Sequence, residues 1–115
     1  MLYNILLNMS KIMVDSTGTI KKNNKTIGLI NYEKNILFQI EIDSSYQNNG
    51  FGKSAIREFI YQCKECGYSK VYFVMVTNEI LIHILENSFN AQIVSDIPTD
   101  NIMKQSHQPH YCIEM

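Results

Sequence analysis

The residues best suited to chemistry form one short run, Gly50-Phe51-Gly52-Lys53-Ser54, reached through Tyr46-Gln47-Asn48-Asn49. Two glycines, a cation and a hydroxyl at the start of a helical pattern are what an anion needs. A helix N-terminus presents unpaired N–H groups and the positive end of the helix dipole. Glycines ahead of it let a phosphate lie against the backbone. The run therefore reads as a phosphate cradle.

The elements that must position it are legible on both sides. Ile36–Asp43 alternates, with Phe38, Ile40 and Ile42 on one face and Gln39, Glu41 and Asp43 on the other, the pattern of a half-buried strand. Lys53–Cys66 has helical spacing, with Ala55, Ile56, Phe59, Ile60 and Cys63 as its apolar stripe and Gly67 placed to end it. Upstream, Tyr3–Leu7 and Ile12–Val14 are strand-like. Asp15-Ser16-Thr17-Gly18 is a turn signal, and Thr19–Lys22 and Thr26–Tyr32 form a hairpin about Asn23-Asn24. Glu33-Lys34-Asn35 is the next turn. Downstream, Lys70–Val76 reads as a buried strand. Asn78 then caps a helix over about Glu79–Asn87, with Ile80, Leu81, Ile84 and Leu85 on one side. Strands near Gln92–Ser95 and at His110–Glu114 flank a loop around Pro98. The fold class expected is mixed α/β, and residues 1–115 show no linker or repeat that would divide them into domains.

Three phosphate ligands compete for the cradle. Gly52-Lys53-Ser54 is the tail of the nucleotide loop G-x-x-x-x-G-K-S/T, but position 47 is Gln47 where that motif needs glycine, and no later strand ends in an Asp to hold magnesium. The dinucleotide fingerprint G-x-G-x-x-G finds Gly50, Gly52 and then Ala55, yet hairpins precede it rather than a βαβ unit. The third ligand is the diphosphate of coenzyme A. Here the chain resembles the GNAT superfamily of acyl-CoA-dependent N-acetyltransferases, whose motif is V-x-P-x-Y-Q/R-x-x-G-x-G/A. Ile42 stands for the Val and Ser44 for the Pro, while Tyr46, Gln47, Gly50 and Gly52 match. The family continues through a helix and a strand to N-x-x-A/S-x-x-x-Y. Asn78 stands in register with its start, so the likeness spans about residues 26–95.

The resemblance implies a central mixed, mostly antiparallel sheet splayed at the coenzyme site and flanked by two main helices. It implies acetyl-CoA as co-substrate. Gln47, Asn48, Asn49, Gly50, Phe51, Gly52, Lys53 and Ser54 would hold the diphosphate. The main chain of Ile40, Glu41 and Ile42 would meet the pantetheine arm, and Asn78 would add a hydrogen bond; its bland reading is an ordinary helix cap. The reaction implied is direct attack of an amine on the acetyl group, which requires a base, an oxyanion donor and a proton for the departing thiolate. A backbone N–H at Ile42 suits the second requirement. The other two lack their usual residues: the Tyr of the second motif falls at Leu85, and Val71-Tyr72-Phe73-Val74-Met75-Val76 carries no carboxylate. A desolvated Glu41 is the candidate base, its alternative being a solvated strand face. Tyr46, Tyr72 and Tyr111 are candidate donors, each with a packing reading. These departures keep open a second reading, a coenzyme-binding module of this fold that transfers nothing and acts in regulation or protein interaction.

Bulk properties narrow the partners. The formal net charge is −1, which recommends neither nucleic acid nor an anionic membrane surface, and Lys21, Lys22 and Lys25 read as a solvated hairpin tip. No apolar run approaches the roughly 20 residues of a membrane span. Three cysteines and no basic leader suggest reduced thiols and a cytoplasmic protein. Cys63, Cys66, His107, His110 and Cys112 resemble a zinc set on paper, but Cys63 and Cys66 fall within the amphipathic helix, so no metal is expected. Little chain precedes Gly28, where the family carries helices of the acceptor wall. The acceptor groove is therefore expected to be open, suiting a protein amine, or completed by a second subunit in a homodimer.

Overall fold

The computed structural model describes residues 12–74, 76–95, 97 and 109–115. Its strands are β1 (Ile12–Val14), β2 (Thr19–Lys22), β3 (Lys25–Glu33), β4 (Ile36–Ile42), β5 (Lys70–Phe73), β6 (Gln92–Val94) and β7 (His110–Glu114). Its helices are α1 (Phe51–Glu65) and α2 (Glu79–Ser88), with a 3₁₀ turn at Ser44–Tyr46. The strands form one mixed sheet in the order β1-β2-β3-β4-β5-β7-β6, in which β4 and β5 run parallel. This is the mixed α/β class with two main helices. The expected strand at Tyr3–Leu7, the loop at Pro98 and His107 lie outside the described residues. The chain divides into two compact units, Met1–Asn31 with Gln39–Gln62, and Tyr32–Phe38 with Cys63–Met115.

In the first unit β1, β2 and β3 form an antiparallel meander. Asp15 builds the first turn: its Oδ1 accepts from the Thr17 hydroxyl at 2.6 Å and from the Thr17 and Thr19 N–H groups at 3.0 Å. Those bonds, the Thr17 hydroxyl first, hold the Asp15 carboxyl down at about 2. Asn23 and Asn24 both take positive φ, 52° and 65°, giving the two-residue primed turn expected between Lys22 and Lys25. Opposite Ile20 and Lys21 the β3 register skips Ile27, a bulge that buries Ile27 and Gly28 in succession. A side chain at Gly28 would collide with the carbonyl oxygen of Glu41, so glycine is what lets the backbones approach.

Helix α1 buries the face its spacing foretold. Ala55, Ile56 and Phe59 are buried with Ile12, Val14, Ile20, Ile27 and Ile30. Each fully buried Ile or Phe contributes about 1.5–3 kcal/mol relative to exposure. Gln62 Nε2 also donates to the Val14 carbonyl at 2.7 Å.

The second unit begins at the β3–β4 turn, where Lys34 has φ 55°. Ile36 pairs with Tyr72 and Leu37 with Phe73; β4 runs on to Ile42, while β5 stops at Phe73. The strand expected over Lys70–Val76 is therefore shorter. Val74 still donates to Leu37 O, but the N–H of Val76 turns to Pro109 O. β5 and β6 each pair antiparallel with β7, which is buried at His110, Tyr111, Cys112 and Ile113. Gly67, at φ 94°, ends α1 with paired bonds, Gly67 N–H to Lys64 O and Tyr68 N–H to Cys63 O. In α2 the expected apolar side holds at Leu85, which is fully buried, but Ile80 in the first turn is 66% exposed.

Candidate functional site

The glycine run lies wholly in the first unit, and its geometry is set residue by residue. After Ile42 the chain leaves the strand with Asp43 N–H bonded to Ile27 O at 2.8 Å. The 3₁₀ turn closes through Tyr46 N–H to Asp43 O at 2.8 Å. Gln47 then reaches back, its Nε2 donating to the Ile42 carbonyl at 2.9 Å. Asn48 sits at φ 66°, and Asn49 Nδ2 donates to Gln47 O at 3.0 Å. Side-chain amides thus take up carbonyls that no strand or helix partner satisfies.

Gly50 has φ 76° and its carbonyl accepts from Ser54 N–H at 3.1 Å, which makes it the residue from which α1 starts. The N–H groups of Phe51, Gly52 and Lys53 consequently have no acceptor within the helix. The first turn of α1 carries no acidic side chain to compete for them. A Cβ at Gly50 would enter open space, and one at Gly52 would meet Ile42 Cγ1 at an ordinary 3.8 Å. Neither glycine is demanded by packing. Gly50 is demanded by its backbone angle, and both leave the amides uncovered.

The hairpin tip joins this loop. Lys22 Nζ stands 5.3 Å from the centroid of the Phe51 ring, and Lys25 Nζ 5.6 Å from that of Tyr46. The two rings lie 6.2 Å apart at 52°. Lys25 also hydrogen-bonds Tyr46, which raises its pKa above the ordinary lysine value. The expectation of a solvated tip is thus corrected for two of its three lysines. Lys21 alone takes the other course, pairing with Asp15 at 3.5 Å. The missed signal was the register: residues flanking a two-residue hairpin turn face each other, and the cap of that hairpin adjoins the strand end from which the loop departs.

Other expected site residues fall as follows. Ile40 and Ile42 are half-buried, while Glu41 is exposed with Gln39 and Asp43, so the desolvated setting imagined for Glu41 is absent. Asn78 belongs to the second unit and caps α2, its Oδ1 accepting from Leu81 N–H at 3.0 Å. Leu85 is sealed in the core. Tyr111 is buried and donates its hydroxyl to Glu86 Oε2 at 3.1 Å; burial, then Glu86, raises its pKa. Tyr72 packs against the Ile36–Val74–Ile97 cluster. Cys63 is buried, its thiol pushed up to about 11 by desolvation, and Cys112 is raised for the same leading cause. Among the described residues no three potential ligands gather as a metal site.

The model of the acetyltransferase (GNAT) family matches residues 11–89, which run from β1 through α2 and contain the whole glycine loop. The chain belongs to the GNAT family. No curated protein matches it. Among solved structures it resembles a GNAT-family acetyltransferase from Staphylococcus aureus Mu50, with a TM-score of 0.55 and 16% identity over 84% of this chain and 65% of that one. A GNAT-family acetyltransferase from Elizabethkingia anophelis with acetyl-CoA bound gives 0.60 at 17% identity, over 99% and 82%. Naa50 of Arabidopsis thaliana, in complex with the bisubstrate analogue CoA-Ac-MVNAL, gives 0.55 at 17%, over 84% and 70%. This chain therefore spans slightly under two thirds of the length of the S. aureus structure. At these identities the likeness establishes the fold.

Proposed function

We propose that this GNAT-family chain is an acyl-CoA-dependent N-acetyltransferase that holds acetyl-CoA at Gln47–Ser54 and acetylates an amine. The observation that carries the reading is the uncapped start of α1. Gly50 supplies the turn, the amides of Phe51, Gly52 and Lys53 are open, and no carboxylate stands in the first turn. A diphosphate suits those donors and the helix dipole. The acetyl-CoA bound to the Elizabethkingia relative supports the choice of ligand.

When bound, acetyl-CoA supplies the acetyl thioester. The rest falls to this chain. The amides of residues 48–53 and the Lys53 ammonium hold the diphosphate. The β4 main chain at Ile40, Glu41 and Ile42, beyond the last pair with β5, meets the pantetheine arm. The Ile42 N–H supports the oxygen on which negative charge develops, and Asn78 adds a hydrogen bond. The Glu41 carboxylate, directly or through water, takes the proton that the attacking amine loses, and the departing thiolate takes a proton from solvent. A protein or peptide amine is the acceptor class we favour, in keeping with the analogue held by the Arabidopsis relative.

One observation favours a second reading, a coenzyme-binding module without transfer: Leu85 is fully buried where the family's tyrosine acid would stand. Single-turnover reactions with acetyl-CoA and a panel of amines and peptide N-termini decide between the two. Free thiol that appears in step with acetylated amine supports transfer. Coenzyme bound with no amine-dependent turnover assigns the module reading.

A further inference from the structure

The hairpin lysines raise a question of charge. Lys22 and Lys25 are register partners across the Asn23-Asn24 turn, so two ammoniums share one face at adjacent positions. Like charges directly opposite on a hairpin are destabilising. Lys21 has its carboxylate in Asp15, and Lys70 has Glu114, but among the described residues Lys22 and Lys25 form no ion pair. What they have instead are rings. Phe51 belongs to the first turn of α1, and Tyr46 is the motif tyrosine. An aromatic face holds a cation in place without cancelling its charge. Both rings belong to the glycine loop itself, so two uncompensated cations are fixed beside the proposed diphosphate site.

The coenzyme's own charge makes use of them. A nucleotide diphosphate is covered by the amides of residues 51–53, Lys53 and the helix dipole. Coenzyme A carries a further phosphate monoester at the ribose 3′ position, with about −1.5 to −2 charge near neutral pH, as any phosphate monoester has. Those groups at the helix start do not compensate that additional dianion. We infer that Lys22 and Lys25 together bind this 3′-phosphate and make the site select the 3′-phosphorylated coenzyme over its dephospho form. The assignment rests on the acetyl-CoA reading above and adds to it a pair of specificity-determining residues on the β2–β3 hairpin. It also accounts for a like-charged pair that the free fold has no reason to keep.

The test is calorimetric titration of coenzyme A and of 3′-dephospho-coenzyme A into three forms of the full chain: the wild type, the Lys22→Gln/Lys25→Gln double variant, and the Lys22→Arg/Lys25→Arg double variant. The wild type is expected to bind coenzyme A about tenfold or more tightly than the dephospho form, as two charge-assisted contacts require. The Gln variant should lose most of that preference, with its affinity for the dephospho form within about twofold of wild type; the Arg variant should keep it, since guanidinium groups retain both charge and stacking. The thermal midpoint of the ligand-free Gln variant should equal or exceed that of wild type, because a repulsion has been removed. That readout separates a binding role from a structural one. A wild type that binds both ligands equally overturns the assignment and leaves the acetyl-CoA reading standing. So does a Gln variant that loses affinity for both ligands alike, which would place the lysines on the diphosphate or the loop. A folded wild type that binds neither ligand overturns the acetyl-CoA reading and this assignment with it.

Discussion

The side-chain amide of Gln47 donates to the carbonyl oxygen of Ile42 at 2.9 Å, so the residue that opens the glycine loop is fastened to the last residue of the strand it leaves. This bond sets where the backbone of residues 48–53 begins, and with it the direction of the open amides at the start of α1. Replacing Gln47 by Ala removes an exposed neutral hydrogen bond and should cost about 0.5–1.5 kcal/mol of stability. The affinity for acetyl-CoA should fall several-fold. Gln47→Glu should behave like Ala in stability and worse in binding, since a carboxylate cannot donate to Ile42 O and repels phosphate. Denaturant melts and titrations of both variants check this.

Gly52→Asp separates fold from site. The position has room for a Cβ, and a carboxylate in the first turn of a helix is favourable by about 0.3–1 kcal/mol. The variant should therefore melt at or above the wild-type temperature. Its charge would face the phosphate, so acetyl-CoA binding should be lost. A stable variant with unchanged affinity would remove Gly52 from the cradle.

Gly28→Ala should act in the opposite sense. Its new methyl meets the Glu41 carbonyl, a backbone group that cannot step aside. Overpacking of this kind costs about 1–3 kcal/mol or more. A urea midpoint lowered accordingly, with binding measured on the remaining folded fraction near wild type, is the expected result.

Asp15 gives a pH dependence with a definite sign. Its folded pKa, about 2, lies below the ordinary 3.8. The contribution to stability is therefore complete above the unfolded value and disappears as pH falls from there through about 2. Thermal melts between neutral pH and pH 2 should show Asp15→Asn less stable than wild type near neutrality, with the gap closing in acid. A gap independent of pH would mean that the turn does not use the ionised carboxylate.

Much of this was legible in the residues because the signals were local. The stripe Ala55, Ile56, Phe59 and Cys63 is buried as its spacing required, Gly67 closes α1, and Asn23-Asn24 supplies the primed turn. Asn78 caps α2 through its side chain, so local propensity placed it correctly. What could not be read depends on pairing between distant segments. The early end of β5 follows from where its ladder with β4 stops, and the bulge at Ile27 follows from the β2 register. The lysines were misjudged for the same reason: their rings, Tyr46 and Phe51, are more than twenty residues away in sequence. Ile80 fits the helical stripe, but it lies in the first turn of α2, where it is left exposed.

The central claim is that the loop from Gln47 to Ser54 holds acetyl-CoA, and calorimetric titration of the wild-type chain with acetyl-CoA tests it most directly, with ATP and desulfo-CoA beside it. Saturable one-to-one binding of acetyl-CoA in the micromolar range, about −8 kcal/mol, with desulfo-CoA close behind and ATP silent, is the expected result. A folded chain that takes up neither coenzyme, or that binds ATP as tightly as acetyl-CoA, would contradict it.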